Sequence, residues 1–196
     1  QSYNSIAIGL AAGNTNQSEH SIAIGANTAY NNQASNCIAI GSNAGSSNQN
    51  KESIAIGFNS GANTQKNNSI AIGINSGQAN QDASSIAIGG SAGFNNQGGK
   101  SIAIGLNAAV TDQSTNSIAI GENAGNYEQL DKSIAIGTEA GKTNQNNNSI
   151  AIGTKAALTL QSYQSVAIGN LTAQTNQSYN SIAIGLAAGN TDQSEN

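Results

Sequence analysis

The chain has 196 residues, of which 8% are charged and 4% aromatic, and its six basic residues, all Lys, stand against ten acidic ones for a net charge of −4. Neutralising nucleic-acid phosphates takes clustered Lys and Arg, and no Arg is present. A membrane-spanning helix needs about 20 consecutive apolar residues, whereas the apolar runs here are only a few residues long, and a single Cys (Cys37) allows neither a disulfide framework nor a Cys-based zinc site within one chain.

Read from its start, the first element is Ser5-Ile6-Ala7-Ile8-Gly9, which alternates large and small side chains with the period of two that marks a strand. It returns at Ser21, Ser53, Ser69, Ser85, Ser101, Ser117, Ser133, Ser149 and Ser181, with CIAIG at Cys37 and SVAIG at Ser165 completing twelve copies spaced by 16 residues without insertion or deletion. Between copies run Asn-rich tracts such as Asn14-Thr15-Asn16-Gln17-Ser18, read as a second strand and its turn. Recurrent Gly and Asn disfavour a helix. Numbering each repeat from its Ser, with Ser5 as position 1, gives an internal alignment. Positions 2 and 4 are always Ile or Val, position 3 is always Ala, position 5 is always Gly, position 8 is always small and position 9 is Gly or Ala. Positions 6, 10, 14 and 15 accept almost anything, from Leu10 and Phe58 to Glu122 and Tyr163.

A fixed period means that every repeat fits the same slot. Sixteen residues hold two strands of about five residues and two tight turns, one coil of a parallel β-solenoid in which each strand pairs with its equivalent one coil away. The fold expected is therefore all-β, a parallel β-solenoid (β-roll) of twelve 16-residue coils forming one domain over 1–196, with coils about 4.8 Å apart. The structural core is expected in two aliphatic ladders, Ile6, Ile8, Ile22, Ile24, Ile38, Ile40, Ile54, Ile56, Ile70 and Ile72 onward, each Ile contributing roughly 1.5–3 kcal/mol if fully buried. Position 13 is Gln in every copy (Gln17, Gln33, Gln49, Gln65, Gln81, Gln97, Gln113, Gln129, Gln145, Gln161, Gln177, Gln193) and is expected to form an amide ladder. Ala at position 3 never drifts to a larger residue, which marks Ala7, Ala23, Ala39, Ala55 and Ala71 as candidates for contact with a second subunit. The opposite arrangement, with Ala in a cramped interior and Ile toward the partner, stays open.

Asn-Ser-Ile-Ala-Ile-Gly, complete at Asn4–Gly9, Asn68–Gly73, Asn116–Gly121, Asn148–Gly153 and Asn180–Gly185, resembles the Asn-Ser-Val-Ala-Ile-Gly repeat of trimeric autotransporter adhesin heads. Similar IAIG repeats occur in virion fibre proteins. The resemblance touches five or six of the sixteen positions in every repeat, and family repeats are usually nearer 14 residues. It implies a left-handed β-roll, a homotrimer, and a place on a cell or virion surface, with a host-surface protein or glycan as a possible further partner. Gln1–Thr15 is identical to Gln177–Thr191, eleven coils later, which points to a window of a longer array.

Little in the chain suggests chemistry. His20 is the sole histidine, which excludes Ser–His and multi-His metal arrangements, and Cys37 merely replaces the Ser of position 1. Asp112 and Glu128 share position 12 on successive coils and would stand about 5 Å apart, near the spacing of a retaining glycosidase pair, but the column is otherwise mostly Asn and reads as solvent-facing. Thr15, Thr111, Thr143, Thr159, Thr175 and Thr191 form a partial Thr file of the kind that could match ice, broken by Asn31, Asn63, Ala79 and Tyr127. The expectation is a non-enzymatic, cofactor-free rod or multivalent attachment module, with ice binding and then glycan processing as alternatives.

Overall fold

A computed structural model describes residues 2–191. Among the described residues, eleven copies of the repeat each close one coil and the twelfth supplies its first strand. The Ile-Ala-Ile segments, from Ile6–Ile8 to Ile182–Ile184, pair in parallel as a twelve-stranded sheet in strict chain order, and the segments ending in Gln, from Thr15–Gln17 to Thr175–Gln177, form a parallel eleven-stranded sheet opposite. The register is that of the sequence repeat: Ile102 faces Ile118, Ala103 faces Ala119 and Ile104 faces Ile120, while Gln113 faces Gln129.

The strands are three residues long, shorter than the five expected, and backbone geometry explains why. In the coil Ser101–Asn116, Gly105 (φ 131°), Asn107 (54°), Ala109 (49°), Asp112 (54°) and Asn116 (57°) all lie at positive φ, so no extended run exceeds a few residues. The residue in the middle of each Gln segment is one of these, and only its two flanking residues enter the ladder. Asn tolerates the left-handed region better than most L-residues because its short amide bonds locally. Among the described residues, nineteen Asn adopt positive φ, all at positions 7, 12 and 16. Composition thus follows from corner geometry.

Position 5 requires Gly for a second reason besides its φ. A Cβ on Gly105 would lie 2.6 Å from the carbonyl oxygen of Gly121 in the next coil, so the corner packs backbone on backbone.

Candidate functional site

The two faces of the Ile-Ala-Ile sheet are reversed relative to the core expectation. Ala23, Ala39, Ala55 and Ala71 have no exposed surface and Ala7, at the first coil, is half-buried, so this column lies inside the coil and is not available to a second chain. Ile22, Ile24, Ile38, Ile54, Ile56, Ile70 and Ile72 point outward and are only half-buried, by their neighbours along the stack, while Ile6, Ile8 and Ile40 are exposed. The reason is room. A Cβ on Gly125, at position 9 across the interior, would stand 3.2 Å from the Ala119 Cβ, a gap that no Ile could occupy. The coil is lined instead by Ala, by small residues at position 8, by Ser at position 1 and by one long side chain, Gln.

That Gln spans the interior. From Gln17 to Gln177 each is essentially fully buried, and its Nε2 donates to the carbonyl of the position-2 residue of its own coil at 2.7–2.9 Å, tying one sheet to the other. The remaining N–H runs along the stack: Gln33 donates to Gln49 Oε1 at 3.0 Å, and the step repeats without a break from Gln65 to Gln177. The steps into Gln33 and Gln65 are not made, and Oε1 of Gln17, Gln33 and Gln65 is left without a donor. Gln193 lies outside the described residues. Position 9 is small because the amide needs the space: a Cβ on Gly93 would sit 2.7 Å from Gln97 Oε1.

Sequence reasoning did not anticipate two further amide files on the surface. Asn16 donates to Asn32, Asn32 to Asn48, Asn80 to Asn96 and Asn96 to Asp112, at 2.8–3.1 Å, and Asn43 to Asn59 to Asn75 at position 7. The signal was Asn enrichment confined to particular columns.

Residues considered for chemistry lie apart from one another. Asp112 and Glu128 are exposed on adjacent rungs, Asp112 accepting from Asn96, and no cluster of three metal-ligating side chains exists among the described residues. His20 is exposed, 3.3 Å from the Asn4 amide. Cys37 is fully enclosed, with Sγ 2.9 Å from the Asn50 carbonyl, and burial pushes its thiol pKa up. Thr143, Thr159 and Thr175 align on the second sheet's outer face as a single file. The Ala83 N–H, 2.6 Å from Asp82 Oδ1, together with Lys66 holds the Asp82 carboxyl below its ordinary range. Lys142, 2.7 Å away, and then Lys155 do the same for Glu139. Both are surface ion pairs.

What remains is the outer Ile ribbon: one face of a twelve-stranded sheet carrying two Ile or Val per rung, with no charged residue at positions 2–5 of any copy. At about 4.8 Å per rung and about 3.3 Å per residue it measures roughly 58 by 10 Å, on the order of 600 Å², at the upper limit of what a lone soluble protein exposes. This strip is the candidate interaction surface.

No curated protein and no solved structure matches the chain. Two segments do match a known family model, residues 49–76 and 97–124, each beginning on a buried Gln and running through two successive Ser-Ile-Ala-Ile-Gly strands. The model that these two segments match, in their outward Ile-Ala-Ile strands and the coils they close, is that of the YadA head domain repeat, the head repeat of trimeric autotransporter adhesins.

Proposed function

We propose that the chain is a non-enzymatic rod module of a surface adhesin or fibre, and that it self-associates as a parallel homotrimer through the Ile ribbon. The observation that carries this is an uninterrupted, uncharged aliphatic strip along the full described length. The adhesin heads whose repeat these segments match form trimers and stand on cell surfaces, which supports both self-association and an extracellular place.

Another copy of the chain suits the strip better than an unrelated partner. A second rod has the same rise per rung, so its Ile side chains fit between those of the first along the whole length. Each copy in a threefold bundle buries one ribbon of roughly 600 Å² shared between two neighbours, so each pairwise contact is smaller than the roughly 800 Å² per partner of a standard interface and the three contacts act together. The variable columns, positions 10, 14 and 15, then face outward and can meet a host protein or glycan weakly but many times over, where repetition substitutes for affinity.

Sedimentation of the 19.6 kDa chain tests the reading. Three chain masses are expected for the wild type and one for Ile86→Glu/Ile102→Glu/Ile118→Glu, with the β circular-dichroism signal retained because these side chains point away from the coil. A wild type of single-chain mass would overturn it.

A further inference from the structure

A strip of near-identical rungs creates a difficulty that the rest of the surface resolves. Two copies related by an axis along the rod can slide by one rung and lose only the Ile contacts of the end coil, so the Ile columns alone do not define register. Translationally uniform interfaces populate several registers unless some element penalises the wrong ones.

Position 6 supplies that element. It lies two residues past the outer Ile of each coil, at one edge of the ribbon, and it varies freely. Phe58, Ile74 and Leu106 are all about half exposed there, at 49%, 60% and 54%. Between Ile74 and Leu106 stands Gly90, which offers no side chain, and beyond Leu106 stands the exposed Glu122. Along the rod the edge reads knob, knob, gap, knob, charge. We propose that this non-repeating edge fixes the copies in one axial register, an inference that rests on the self-association proposed above. In register, equal heights carry equal residues. Slipped by one coil, Ile74 comes level with the Gly90 gap of the neighbour and Leu106 with the Glu122 carboxylate, so apolar contact is lost and a charge meets an apolar surface. Slippage the other way sets Phe58 level with Ser42 and Leu106 with the gap.

The test reads register directly. In a Cys37→Ser background, which restores the residue found at position 1 in the other copies, one population of chains carries Asn27→Cys and another Asn170→Cys, with orthogonal spin labels. The two sites are nine coils apart, or about 43 Å along the axis, and each one-coil slip moves the inter-chain distance by about 5 Å. One distance is expected for the wild-type edge. Phe58→Ala/Ile74→Ala/Leu106→Ala should keep the assembly mass and add distances spaced by about 5 Å. Gly90→Leu/Glu122→Leu, which loses no apolar contact and turns the edge into a continuous run, should do the same. A single distance in both variants would overturn the register assignment while leaving self-association intact. A wild type that sediments as one chain would instead remove the reading beneath it.

Discussion

Gln97 reaches across its coil to the carbonyl of Ile86 at 2.8 Å and, with its second N–H, along the stack to Oε1 of Gln113 at 3.2 Å. Both donors of one buried amide are thus used, one to hold the two sheets of a coil together and one to hold neighbouring coils together. The centre of this rod is therefore a hydrogen-bonded file sheathed in methyl groups, with the large aliphatic side chains outside.

Removing one link should be costly. Gln113→Ala removes the amide donor from the Ile102 carbonyl, the stack acceptor from Gln97 and, with Gln113 Nε2, the amide donor of the Gln129 oxygen. An unsatisfied buried polar group costs about 1–3 kcal/mol, so a loss of at least that size is expected in the urea midpoint. A Gln174→Ala control at the variable position 10 should leave the midpoint within about 0.5 kcal/mol of wild type.

Two glycine substitutions should separate the two kinds of corner. Gly105→Ala places a methyl against the backbone of the next coil at φ 131°, where L-residues carry about 1–3 kcal/mol of strain. Gly125→Ala meets the side-chain amide of Gln129 and the Ala119 Cβ but no backbone of the next coil, and Ala already occupies that position at Ala29, Ala109, Ala157 and Ala173, so its effect should be less than half as large. Thermal melts of both variants check the ordering.

Overfilling the interior should destabilise where trimming the exterior does not. Ala103→Val adds two methyl groups to a column with no exposed surface and is expected to cost about 1–3 kcal/mol. Ile104→Val, outward on the same strand, should leave the stability of the coil within about 0.5 kcal/mol of wild type. Denaturant titration of each decides it.

The acid dependence of the Glu139 cluster has a definite sign. Its carboxyl is held lower in the folded chain than when unfolded, first by the hydrogen bond from Lys142 and then by Lys155. The contribution is present above the ordinary carboxylate range and disappears as pH falls through that range to the folded value. For a surface group it is at most about 1 kcal/mol. The stability gap between wild type and Glu139→Gln should thus be positive at pH 7 and shrink as pH falls through the carboxylate range in urea titrations.

The Cys37 thiol, enclosed and raised by burial, should react with a thiol reagent only as the solenoid opens. Labelling at pH 7 is expected to be at least tenfold slower in the native chain than in urea, followed by mass spectrometry.

The coil, its period and its parallel register are legible in the sequence, because a spacing that never varies over twelve copies leaves one way to stack them. Which face of the strand turns inward is not. Alternation of Ile and Ala says that two faces differ, and the habit of putting the larger apolar residue inside selects the wrong one. The decisive quantity is the bore of a sixteen-residue coil. The invariant smallness of positions 3, 8 and 9 records that bore, since restricted columns are those that run short of space. The Asn files escaped for a different reason: what places Asn at positions 7, 12 and 16 is a left-handed φ, which composition reports only when read column by column.

Because every rung offers its successor the same socket, whole sixteen-residue units can be added or deleted without disturbing those that remain, each altering the reach by about 4.8 Å. Length in such a molecule behaves as a graduated scale whose smallest division is one whole repeat.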